Sequence, residues 1–292
     1  MHTALVVIPH ADDAAAFCGG TIAKRAAAGW RIVLVRVTDD AKDSVGIGSE
    51  AETIARNATE LRAAADILGC AEIVELGFPT DSLADVSLLA LRERFVYLLR
   101  KYRPYAVFSF DPFGRYEGNM DHIRAAQAME EAYWVACFDL HHPEHFEEGL
   151  QPFAVCERWY FARQLPETTH VEDITEHLET KVRALAAHKT MMQNVIHQSL
   201  LQLSTWGRRV PLLEQAFHED PEPLISLVLE EAARDAAKAG GLDADRLGEA
   251  FRMVRFGDLD PLFESLSEKI ENAEEVNGSA PAPPPARNKA LS

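Results

Sequence analysis

Along most of this chain, short continuous apolar runs alternate with longer stretches whose apolar residues recur at helical spacing. ALVVIP (residues 4–9) and RIVLVRVT (31–38) are runs rich in branched residues and bounded by turn signals, which predicts buried strands. Between them, AAAFCGGTIAKRAAAGW has helical spacing and stops at Gly29. The pattern then repeats. EAETIARNATELRAAADILG reads as an amphipathic helix ending at Gly69, EIVELGF as a strand, SLLALRERFVYLLRKY as a helix and YAVFSFD as a strand. Such alternation predicts an α/β fold with a mostly parallel sheet and helices on both faces.

Further along, a helix is expected from near Asp121, then a loop (HHPEHFEEGLQP), a strand within CERWYFARQL, and one long helix over EDITEHLETKVRALAAHKTMMQNVI. The pattern sets a main domain at residues 1–206 and a helical extension at 207–273. Residues 274–292, rich in Pro, Ala and Ser without apolar periodicity, read as a disordered tail.

Composition narrows the class. A chain of 292 residues, 47% hydrophobic, can bury a full core. Its formal net charge of -17 opposes a phosphate-tracking surface, so no nucleic-acid partner is expected. No run approaches the ~18 apolar residues of a membrane span, and no secretory leader pattern opens the chain. Cys18, Cys70, Cys137 and Cys156 lie far apart in apolar surroundings, which suits buried thiols in a reducing cytoplasm. A cytoplasmic protein with no membrane partner is the expectation.

One stretch resists a purely structural account. The first strand runs through Pro9 into His10-Ala11-Asp12-Asp13, two adjacent carboxylates at the edge of a core. They repel each other and resist desolvation, and a bound cation would offset both costs. In an open parallel sheet, ligands collect beyond the carboxyl ends of the strands. His10 and Asp13 can converge there, and His122, in the first turn of a later helix, supplies a third donor. His, Asp and His with an open fourth position is the donor set of a catalytic zinc, although such donors also accept Fe2+, Mn2+ or Co2+. Asp12, beside the metal without ligating it, is then placed as general base. The competing structural role for Asp12 is to cap the following helix.

PHADD with FCGGT, and NMDH far downstream, resembles the LmbE/PIG-L family of zinc-dependent de-N-acetylases, whose pattern is PHPDDE with a later HPDH. RNATELRAAADILG, ELGFPTDSL and the helix around LETKVRALAAHKTMM are similar to further family segments, so the likeness covers roughly residues 4–195. DPFGRYEGNMDH is also similar to the matching segment of diacetylchitobiose deacetylases. The resemblance implies a Rossmann-like fold and hydrolysis, by zinc-bound water, of the N-acetyl group of an N-acetylglucosamine-type sugar. It implies zinc on His10, Asp13 and His122, Asp12 as base, substrate contacts from Arg56 and Asp81, and a homo-oligomer.

Two departures from the family pattern bear on chemistry. Asn119 stands where the family carries the first histidine of HPDH, and Ala14 where it carries Glu. An asparagine amide can donate to an oxyanion but is no general acid near neutral pH. Asp12 would then return the proton itself. Three readings stay open: an N-acetyl-amino-sugar deacetylase; an amidase acting on a larger glycoconjugate or acylated natural product; and an impaired metal- or sugar-binding relic. FDLHHPEHFEEGLQPF is the segment expected to govern substrate choice. Its histidines His141, His142 and His145 read as a surface loop near the pocket rather than a second metal site, and His188 reads as a packing residue or one that supports the site from behind its ligands.

Overall fold

The computed structural model describes residues 1–268, so the expected tail at 274–292 and the end of the 207–273 segment lie outside the described residues. The first half follows the alternation of its sequence: β1 (Thr3–Ile8), α1 (Asp13–Ala27), β2 (Arg31–Thr38), α2 (Glu50–Leu68), β3 (Glu72–Phe78), α3 (Leu88–Tyr102), β4 (Ala106–Phe110) and α4 (Met120–Val135). Helix α2 begins where Ser49 accepts from the Glu52 N–H and ends at left-handed Gly69. The second half comprises the one-turn α5 (Glu144–Glu147), β5 (Glu157–Phe161), β6 (His170–Asp173), α6 (Leu178–Ala187), α7 (Lys189–Thr205), α8 (Pro211–His218), α9 (Glu222–Ala239), β7 (Gly248–Val254) and α10 (Asp260–Leu266).

Seven strands form one sheet in the order β3-β2-β1-β4-β5-β7-β6. Strands β1 to β5 are parallel, and β7 runs antiparallel to both of its neighbours. The chain steps outward from β1 to β3, returns, and continues from β4 on the other side. The switch point of this Rossmann-like order therefore lies between β1 and β4. Helices cover both faces, which is why the two central strands are apolar at every position but Thr3 in β1 and Ser109 in β4. Ala4, Val6 and Ile8 pack into the core under α1, α2, α6 and α7. Leu5 and Val7 pack into the opposite core with α3 and α4. No helix among the described residues is long and apolar enough to cross a membrane.

The second half departs from its sequence pattern in two places. The long helix expected over residues 172–196 is split: β6 takes its beginning, and the chain breaks at His188 (φ −81, ψ 60) between α6 and α7. The 207–273 segment is not wholly helical, because β7 inserts between β5 and β6 in the main sheet. GEAFRMV carries good helix formers, yet long-range pairing with both strands overrides local preference. Of the four cysteines, all free, only Cys18 is buried, Cys70 and Cys156 are half-buried, and Cys137 is exposed.

Strand β7 also braces α1. That helix is kinked at Cys18 (φ −139, ψ 17), which frees backbone donors in its middle. Glu249 on β7 accepts from the Gly20 N–H (2.9 Å) and the Thr21 N–H (2.7 Å), and also from the Thr21 hydroxyl and the Lys181 ammonium (both 2.6 Å). A Cβ on Gly20 would meet Ile174 at 2.8 Å, so glycine permits this close approach.

Candidate metal centre

His10, Asp12 and Asp13 follow β1, and Asp121 and His122 open the helix after β4, so the switch point brings them together. The turn after β1 is closed locally. The His10 N–H donates to Asp13 Oδ2 at 2.8 Å, which fixes the carboxylate beside the imidazole of the same turn. Asn119 caps α4, its side-chain oxygen accepting from the Asp121 N–H at 2.9 Å, and this sets His122 in the first turn.

Three donor atoms converge. His10 Nδ1 lies 3.0 Å from His122 Nε2, Asp13 Oδ1 lies 3.4 Å from His122 Nε2, and Asp13 Oδ2 lies 3.6 Å from His10 Nδ1. Tetrahedral bonds of 2.0–2.1 Å to one ion separate its donors by about 3.3 Å, so the set fits a zinc-sized cation. All three side chains are buried. Each imidazole is oriented from behind by a carboxylate: His122 Nδ1 is 3.0 Å from Glu117, and His10 Nε2 is 3.4 Å from Asp121. Asp121 also accepts the Asp81 N–H (2.7 Å) and the Leu83 N–H (3.0 Å), which ties the loop after β3 to the site. Phe110 stacks on His122 at 4.0 Å. Such outer partners fix ring orientation and raise ligand basicity.

The electrostatics favour a cation. Burial works against a charged His10, yet Asp121 and Asp13 outweigh it and raise its pKa well above the usual value. Burial would raise Asp13, but His122 and His10 hold it low. Asp12 is half-buried, and burial, reinforced by Asp13, pushes its carboxyl up to about 8. Its side chain makes no cap hydrogen bond with α1, so the capping role is excluded and the carboxylate is left facing the cavity.

A cavity of about 1060 Å3 opens over the centre, lined by Asp12, Asp81, Asn119 and the three candidate ligands. Asp81 is exposed there with φ +60, and its backbone rather than its side chain binds Asp121. Because the Asn119 oxygen caps α4, the amide nitrogen is the end left to donate to a ligand. Arg56 is not brought to the cavity. It lies on the exposed side of α2 and pairs with Glu52 one turn earlier, at 2.5 Å.

The segment FDLHHPEHFEEGLQPF contributes no lining residue either. It follows α4, which starts at the site and carries the chain about 24 Å away over its length. Within that segment His145 is buried, 3.1 Å from the Arg100 guanidinium and 3.0 Å from Glu93. His142, Glu144 and His145 lie close enough to share an ion, but the arginine's fixed charge beside His145 opposes one. Helices α7 and α9 form the outer wall instead, so the segment after 206 lines the pocket. Sequence reasoning missed Glu117, Asp43 and Arg163, all of which line the cavity. Glu117 could have been found, standing five residues before His122 in DPFGRYEGNMDH; the other two reach the site only through loop placement.

A family model described as PIG-L, GlcNAc-PI de-N-acetylase, matches residues 5–133. The diacetylchitobiose deacetylase of Thermococcus kodakarensis is 30% identical over 187 residues, covering 64% of this chain and 68% of that protein. Among solved structures, the N,N'-diacetylchitobiose deacetylase of Pyrococcus horikoshii is similar with a TM-score of 0.70 at 22% identity, over 91% of this chain and 86% of that one. A 4-carboxy-2-hydroxymuconate hydratase from Pseudomonas putida gives 0.64 at 19% identity, over 87% and 96%. These two likenesses concern the fold alone, and the hydratase shows that the fold hosts more than one chemistry.

Proposed function

The chain belongs to the PIG-L family of de-N-acetylases, and from that premise we propose that it is a metal-dependent hydrolase removing the N-acetyl group from an N-acetylglucosamine-type amino sugar or its conjugate. The observation that carries this reading is the convergence of His10 Nδ1, Asp13 and His122 Nε2, with the uncommitted carboxylate of Asp12 on the same cavity. A divalent ion held by those three residues supplies Lewis acidity toward the amide carbonyl and lowers the pKa of a water it binds to about 7.

The protein's own groups do the rest. Asp12 takes the proton of the attacking water and, once protonated, returns it to the departing amine nitrogen, so that acetate and a free amino sugar leave. The Asn119 amide N–H donates to the carbonyl oxygen as negative charge develops on it. Glu117 and Asp121 keep the imidazoles aimed at the ion, and Asp81 and Asp43 offer acceptors for sugar hydroxyls. Zinc is the proposed ion.

The test is acetate release from N-acetylglucosamine and N,N'-diacetylchitobiose by zinc-loaded protein, with Asp12→Asn run alongside and metal content measured on both. The expected result is hydrolysis by the native chain and a loss of about 10²- to 10⁴-fold in the variant at equal metal content. A chain that binds the metal but hydrolyses neither these nor longer N-acyl sugars would overturn the reading and leave a metal- or sugar-binding relic.

A further inference from the structure

Among the described residues that line the cavity, Arg163 carries the only lysine or arginine charge. Asp12, Asp43, Asp81 and Glu117 line the same space, and an ionised carboxylate accepts hydrogen bonds without donating them. A sugar hydroxyl is donor and acceptor at once, so acidic walls match its proton and leave its lone pairs unmatched. A cationic donor in such a wall supplies the missing half.

The fold fixes where this arginine stands. It lies just past the end of β5, between two cross-links to the loop after β4. The Asp111 N–H donates to the Phe161 carbonyl at 2.8 Å, and the Arg115 N–H donates to the Gln164 carbonyl at 2.9 Å. The side chain is tethered once. Its Nε lies 3.4 Å from Glu117 Oε1, while Glu117 Oε2 faces His122 Nδ1 at 3.0 Å. The guanidinium therefore stands one carboxylate and one imidazole away from the candidate metal position. Its two Nη groups have no partner among the described residues, and the side chain is 55% exposed. The planar fork of Nη donors is left to the cavity that the residue lines.

Arg56, the substrate contact implied by the family resemblance, stands elsewhere. The buried positions of α2 include Thr53, Asn57, Leu61, Ala64 and Leu68, which fixes the rotation of the helix and leaves Arg56 outside with Glu52.

We propose that Arg163 is the substrate-binding arginine of this enzyme, its Nη fork donating to hydroxyl oxygens of the sugar that presents its acetamide to the metal centre. The inference rests on the hydrolase reading above and deepens it. An anionic substituent would also suit the fork, but the neighbouring carboxylates oppose a further negative charge. Neutral hydroxyls are therefore the ligand.

The test compares Arg163→Gln with Arg56→Gln, reading kcat/KM on zinc-loaded full chain for N-acetylglucosamine and its 3-, 4- and 6-deoxy analogues. Arg163→Gln should lower kcat/KM for N-acetylglucosamine about 10- to 100-fold at equal metal content, whereas Arg56→Gln should leave it unchanged. The deoxy series locates the contact. At least one analogue should be slow already on the native chain and be slowed less than N-acetylglucosamine by Arg163→Gln. Arg163→Lys keeps the charge without the fork and should recover only part of the loss.

An equal loss on every substrate, fully restored by Arg163→Lys, would make Arg163 a counter-charge for Glu117 and overturn the proposal. A native-like Arg163→Gln, or a loss in Arg56→Gln instead, would overturn it too. A binding arm needs no turnover: calorimetry on zinc-loaded Asp12→Asn should show weaker binding of N-acetylglucosamine when Arg163→Gln is added, with less change for the same deoxy analogue. Absence of all hydrolysis by the native chain would count against the activity, and this calorimetry would then decide the arginine by itself. Absence of both hydrolysis and binding would overturn both.

Discussion

Helix α1 carries two charged clusters of opposite character. At its kink, Glu249 meets Lys181, the Thr21 hydroxyl and two backbone N–H groups, all between 2.6 and 2.9 Å. At its start, Asp12, Asp13 and His10 share a pocket with Asp43, Asp81 and Glu117, and a buried Asp43 oxygen has no hydrogen-bond partner. The first cluster is balanced and closed. The second has surplus negative charge and opens onto a cavity. A balanced network holds structure together, whereas the unbalanced one lies at the switch point where the proposed metal and substrate would sit. Stability and function are thus divided along a single helix.

The comparison is broken most forcefully at the kink. Glu249→Ala leaves the Lys181 ammonium and two backbone donors buried without partners, and should cost about 3–5 kcal/mol. Urea unfolding would show it as a lowered midpoint, and Lys181→Met in the same chain should recover part of the loss. An Ala variant as stable as the native chain would mean that β7 does not brace α1.

Glu172 extends the brace to the first helix's last turn, accepting from Lys24 and Arg25. Burial would raise its pKa, but His170 and Lys24 outweigh burial and bring it to about 2. Its folded value lies below the unfolded one near 4.5, so the stabilisation is complete above that pH and disappears as pH falls from about 4.5 to about 2. With Lys24 partly in solvent, the expected size is about 2–3 kcal/mol. The difference in stability between the native chain and Glu172→Gln should shrink to nothing over that window, and a constant difference would refute the pairing.

The smallest effect has the opposite sign. Burial raises the Asp43 carboxyl, so its charge is held at a cost in the folded chain. Asp43→Asn should therefore stabilise the metal-free protein by about 1 kcal/mol, a rise of roughly 2–4 °C in thermal midpoint. A drop would place Asp43 with the structural groups and blur the division.

Much of the first half was legible before folding. Strands buried on both faces must be apolar throughout, and a helix stopping at Gly69 carries its own terminator, so local pattern sufficed there. His10, Asp13 and His122 could be read because short turns at strand ends leave few places for such residues to point. Arg56 could not be settled in the same way. Its place on α2 is local, but whether it meets the cavity depends on how that helix rotates against α1 and α6.

The sequence by itself determined the alternation of elements, the candidate ligands and the spare carboxylate of Asp12, because each rests on neighbours a few residues apart. Tertiary structure alone decided that GEAFRMV is a strand, that Glu249 caps a kink in a helix more than two hundred residues earlier, and that α7 and α9 rather than the histidine-rich loop wall the pocket. Those outcomes turn on long-range pairing and packing, whose energies exceed the local preferences that a sequence pattern records.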